Sequence, residues 1–119
     1  LNVSARGLSL VVDRLPEQGG PGDGFRSTEL LLGALGACMV GTMLTFAENQ
    51  GIEVGTVNVH LEDEAATAPT RVARIKVTME LGGNLTDREL ESLKRVAARC
   101  RIHSTLKHAP EIEFELKTR

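Results

Sequence analysis

Between Glu29 and Glu48 the chain carries no charge at all: Leu30 to Ala47 reads LLLGALGACMVGTMLTFA. That is about 18 residues, the length at which a membrane span becomes a question. Acidic residues flank the run, and no Lys/Arg cluster stands beside it to set an orientation in a bilayer. An all-round apolar helix is also what the buried central helix of a small soluble domain looks like. We therefore expect a core helix and no membrane association. Ser27 and Thr28 are the candidate N-caps, and Gly51 is the stop. Gly33, Gly36 and Gly41 sit inside the helix at a cost of about 1 kcal/mol each relative to Ala, so a close packing approach is expected along them.

With 119 residues there is one modest core to build, so a single domain spanning 1–119 is expected. The remaining segments supply the layers around the helix. Residues 1–13 read as a hairpin, with strands near 1–5 and 8–13 around a turn at 5–7. Residues 14–26, rich in Gly and Pro, read as a loop. Alternation predicts a strand over 53–63, a turn over 64–70, and a half-solvated strand over 71–81 with one slip near Ala73-Arg74. Thr86-Asp87-Arg88-Glu89 is a capping box that opens a helix running to about Arg99 or Cys100. Residues 101–109 read as irregular or a short helical turn. Ile112, Phe114 and Leu116 alternate with three glutamates and predict a last strand. Strands and helices do not alternate regularly, so the fold class is α+β, a mainly antiparallel sheet around a long buried helix.

The net charge of −2 and the three Phe, with no Trp or Tyr, disfavour nucleic acid as a partner. Two cysteines are too few for a disulfide scaffold. No basic-then-apolar leader opens the chain, and a cytoplasmic location is expected. The first residue is Leu1 rather than Met, so further residues are expected ahead of it.

Cys38 lies midway along the apolar helix. On its own it fits a small space-filling core residue. Cys100 lies among Arg95, Arg99, Arg101 and His103, and neighbouring cations favour a reactive thiolate. The same cluster equally suits a solvated helix C-terminus. Cys100 and His103 also have half of a metal-ligand spacing, but metal motifs come as paired clusters, so neither a metal nor a cofactor is expected. His60 and His108 read as surface residues.

Taken together, STELLLGALGACMVGTMLTFAENQGIEV and the later LKRVAARCRIHSTLKHAPEIEFEL resemble the OsmC/Ohr family of osmotically induced and organic-hydroperoxide-resistance proteins, over nearly the whole chain. The resemblance implies an intertwined homodimer with two sites at the subunit interface. It also implies a thiol peroxidase that reduces organic hydroperoxides or hydrogen peroxide and is recycled by a small dithiol or a dithiol protein. Cys38 matches the attacking cysteine and Cys100 the resolving one. Burial in an apolar helix raises a thiol pKa, so a cation must offset it. The family uses an arginine of the early hairpin; Arg6 is the best positional match, with Arg14 and Arg26 as fallbacks. Thr28 stands where the family often carries a glutamate, Glu29 is one step along, and Arg101 replaces the proline that usually follows the second cysteine. Leu35, Met39, Met43 and Phe46 are the expected pocket lining. The alternative is a non-catalytic dimer of the same fold that binds an apolar small molecule between its subunits.

Overall fold

In the computed structural model, which describes residues 1–118, the charge-free run forms one helix, α1 (Ser27–Gln50). It begins one residue earlier than the Ser27/Thr28 capping signal predicts. Arg26 is the N-cap, and the Glu29 carboxylate accepts its backbone N–H at 2.8 Å. A carboxylate three residues into a helix suits the positive end of the helix dipole. Gly51 ends the helix at φ 69°, in the left-handed region that favours glycine, and its N–H donates to the carbonyls of Ala47 and Glu48.

The N-terminal residues form an antiparallel hairpin of β1 (Asn2–Ala5) and β2 (Leu8–Val11). Its turn is Arg6-Gly7 with φ 52° and 82°, both positive, which matches the twist of paired strands. The loop that follows contains a 3₁₀ turn at Pro16–Gln18. The second hairpin joins β3 (Val57–Ala66) and β4 (Arg71–Leu81). β4 matches its predicted bounds, and the slip falls where alternation placed it: Glu64 pairs with Arg74, and Ala65 with Val72. β3 starts later than predicted and runs on through 64–66. Those residues keep full ladder partners on β4, which outweighs their weak strand propensity.

The capping box is formed as read. Thr86 Oγ1 accepts the Glu89 N–H at 3.0 Å, and the Glu89 carboxylate accepts the Thr86 N–H at 2.9 Å. It opens α2 (Asp87–Ala97), and a further short helix, α3 (Arg101–Lys107), follows. Met43 and Ala47 of α1 meet Leu93 and Ala97 of α2 to make the core, flanked by Ile52, Val57, Met79 and Leu81. Of the three interior glycines, Gly36 has the anticipated packing role. A Cβ there would lie 2.8 Å from Leu61 Cδ1, so the missing side chain lets β3 come close to the helix at this point. Gly33 and Gly41 face open space.

The α+β class with antiparallel pairing is as expected, and three details within it differ. The sheet is two separate two-stranded hairpins. The central helix is only partly covered: its fully buried residues are Leu35, Gly36, Met43 and Ala47. The predicted last strand pairs with nothing in the described chain, leaving Ile112, Phe114 and Leu116 between 83% and 84% exposed. A strand needs a free edge to join, and no edge of this chain lies beside the segment.

Candidate functional site

The two cysteines come from separate elements that pack together. α1 carries Cys38 on the side where α3 lies against it. α2 ends at Ala97, a short turn follows, and Cys100 becomes the N-cap of α3. Cys100 is 1% exposed, whereas Cys38 is half-buried. Both are free thiols, and their side chains are in hydrogen-bonding contact.

Their surroundings push the pair apart in acidity. The Cys38 thiol is held below its ordinary pKa chiefly by the backbone N–H of Ile102, against an opposing effect of burial, with help from the Cys100 thiol, the Arg101 N–H and the Thr42 hydroxyl. Amide and hydroxyl donors stabilise the anion and so favour ionisation. Cys100 is pushed up by burial first and by the neighbouring Cys38; the N–H of His103 pulls the other way. The site therefore contains two adjoining sulfurs of which Cys38 is the more readily ionised.

The cation expected at Cys38 is absent from this arrangement. Among the described residues no arginine side chain acts on that thiol; Arg101 contributes only through its backbone. Arg6 sits in the turn of the first hairpin, which packs against no other helix or strand. Arg14 is exposed, and Arg26 lies 3.8 Å from Glu29. Glu29 is thus occupied in closing the start of α1, and Thr28 beside it is half-buried. His103 meets Cys100 through its backbone rather than its ring. The imidazole of His60 lies 3.0 Å from Glu62, and that of His108 lies 3.1 Å from the Ser104 carbonyl. No group of three or more metal-ligating side chains occurs among the described residues.

Two clefts open along α1, and neither is lined by Cys38 or Cys100. One, of about 520 Å³, lies between α1, β4 and α2 and is lined by Met39, Met43, Met79 and Leu90 among others. The other, of about 530 Å³, lies between α1, β4 and α3; Leu35 and Met39 form its apolar wall and His103 and Lys107 its basic rim. Of the four pocket residues read from the sequence, Met39 borders both clefts, Leu35 and Met43 one each, and Phe46 packs against the core instead. The backbone donors of Arg101 and Ile102 were not legible in advance. Their only sequence signal is a cysteine followed at once by a short helical stretch, which turns free N–H groups toward the preceding residues.

The chain belongs to the OsmC-like protein family, whose model matches residues 20–115. Solved structures agree on the fold. An OsmC-like protein from Mycoplasma pneumoniae superposes with a TM-score of 0.79 at 20% identity, over 91% of this chain and 79% of that one. An organic hydroperoxide resistance protein OsmC from Legionella pneumophila gives 0.64 at 20% identity, over 91% and 87%. An OsmC-like protein of unknown function from Vibrio cholerae gives 0.73 at 16% identity, over 83% and 72%. No curated protein matches the chain. At these identities the likeness defines the fold; what the site does must be argued from its own residues.

Proposed function

We propose that this protein is a two-cysteine peroxidase acting on organic hydroperoxides. The observation that carries the reading is the contact of Cys38 and Cys100, distant in the sequence, with surroundings that lower the pKa of the first and raise that of the second. The name of the Legionella pneumophila relative supports the substrate class. The Cys38 thiolate attacks one oxygen of the O–O bond; the other oxygen leaves and takes a proton to become an alcohol. Cys38 is left as a sulfenic acid. The Cys100 thiol then displaces that hydroxyl as water and closes a disulfide. An external dithiol restores both thiols by exchange and leaves as a disulfide itself.

The same reading includes a homodimer in the cytoplasm. A monomer of 12.8 kDa is expected to expose about 6,300 Å², yet this chain exposes 9547 Å². Its radius of gyration is 17.5 Å, where about 13–14 Å suits a compact domain of this size. The uncovered parts are the first hairpin, the last segment and a stripe of small residues on α1 that includes Gly33, Ala37 and Gly41. A second copy is the default cover for such surfaces. Assembly is also what would carry Arg6 to a thiol that its own chain leaves without a guanidinium.

A second reading is favoured by the 520 Å³ apolar cleft: a dimer that binds an apolar molecule without turnover. Replacing Cys38 separates the two. Under the peroxidase reading Cys38→Ser abolishes consumption of an organic hydroperoxide in the presence of a dithiol. A variant that still consumes it at the wild-type rate would overturn the assignment.

A further inference from the structure

The first turn of α3 is capped by sulfur. A helix leaves its first N–H groups without partners inside the helix, and a side-chain oxygen normally accepts one of them. Here Cys100 occupies the N-cap with φ −68° and ψ 156°, and its Sγ accepts the His103 N–H at 3.3 Å. The amides of Arg101 and Ile102 favour the thiolate form of Cys38. The start of α3 is thus capped by one of the two atoms that would be oxidised.

Little else holds this helix. It has seven residues, and none of them is buried. Isolated helices below about 12–15 residues are marginal in water. Its packing partner is α1. Its outer flank, through His103, Leu106 and Lys107, borders the 530 Å³ cleft rather than a packed neighbour. Cys100, meanwhile, is 1% exposed, so in the closed structure a reductant meets the half-buried Cys38 sulfur and not that of Cys100. Thiol–disulfide exchange requires access to a sulfur along with a thiolate to attack it.

We propose that α3 is a redox-linked flap: closing the Cys38–Cys100 disulfide removes the sulfur cap from its first turn, loosens residues 101–107, and uncovers the Cys100 sulfur to a reductant. When the bond forms, two thiols lose two protons and two electrons, which pass to the hydroperoxide and appear as alcohol and water. The thiolate charge that draws the Arg101 and Ile102 amides is lost with it, and charged acceptors hold such donors about twice as strongly as neutral ones. The Cys100 sulfur, once bonded to Cys38, is no longer free to turn toward the His103 amide. Reduction restores the cap and returns the helix. The place of this flap in turnover rests on the peroxidase reading, but closure of the bond by a general thiol oxidant does not.

Hydrogen exchange of the whole protein, reduced and then oxidised with diamide, tests the flap. Diamide takes the two hydrogens and becomes a hydrazine, so no peroxidase activity is needed. The expected result is amide exchange about fivefold to tenfold faster over 102–105 in the oxidised protein, the scale of a lost N-cap, reversed by dithiothreitol, with α2 unchanged. Cys100→Ser keeps a capping oxygen and cannot form the bond, so its α3 stays slow with or without diamide. Equal α3 exchange in the two states, after mass measurement confirms the internal disulfide, overturns the proposal. So does a failure of diamide to close the bond, or a Cys100→Ser α3 that still loosens on oxidation. A protein that shows the flap with diamide but consumes no hydroperoxide would sink the peroxidase reading alone.

Discussion

The middle of this molecule and its two ends obey different rules. In the middle, α1, α2 and the β3–β4 hairpin bury Met43 and Leu93 to 1% exposure, and the N-terminal end of α2 is closed by its capping box. At the ends, the first hairpin exposes every residue of both its strands, and the last segment holds Ile112 and Phe114 out at 84%. Both ends carry the apolar alternation of half-buried strands. Burying an apolar side chain is worth about 1.5–3 kcal/mol, so such a pattern in solvent is stabilisation that the single chain leaves unused. The difference teaches that one chain packs its middle and leaves both ends uncovered; a second copy as the cover belongs to the proposed dimer.

The sharpest way to break that comparison is to strike each region once. Leu93→Ala removes a fully buried side chain from the core and should cost about 2–5 kcal/mol in chemical denaturation. A loss below about 1 kcal/mol would mean the middle is less tightly packed than described. Phe114→Asp changes nothing inside a single chain. It should nevertheless convert a dimer to a monomer in sedimentation at micromolar concentration, because it places a charge in a buried contact. A Phe114→Asp protein that sediments and melts as the parent does would show that the ends are solvent-facing after all.

A smaller effect sharpens the comparison within the site itself. With the Cys38 pKa lowered and the Cys100 pKa raised, there is a pH window in which the first is thiolate and the second thiol. Iodoacetamide should label Cys38 first throughout that window, and the preference should fade as pH rises above the Cys100 value. The linkage has a matching sign. Stabilisation from the Cys38 thiolate is present above the pKa of the unfolded thiol and is lost as pH falls through the folded value; Cys100 behaves oppositely. Peptide mapping after brief alkylation reads the order, and faster labelling of Cys100 would reverse the assignment of roles.

How much was legible in the sequence follows the same division. Thr86 to Glu89 announced α2 because a capping box is a local chemical fit, and the slip near Ala73-Arg74 announced the bulge because period-two alternation breaks there. The length of α1 was legible from its lack of charge. Its first residue was not, because Glu29 caps from inside the helix and moves the start back to Arg26. The strand expected at Ile112–Leu116 failed for a reason that periodicity cannot register: alternation states that a segment wants a sheet, and says nothing of whose sheet it is. For the site, the cysteine pair was reached through a family resemblance, since only the fold brings Cys38 to Cys100. The expected arginine has no counterpart beside Cys38 among the described residues of this single chain, and Arg6 reaches the thiol only in the proposed dimer. Backbone N–H groups at the start of α3 lower a thiol pKa as a cation does, and they leave no residue-type signature to read.

The most direct test of the central claim is a thiol count before and after one equivalent of an organic hydroperoxide, without reductant. The account predicts that both free thiols disappear together and that peptide mapping finds Cys38 joined to Cys100 within one chain. Two thiols still titratable after the peroxide has been mixed and incubated would contradict it, and would leave the fold intact with a different task.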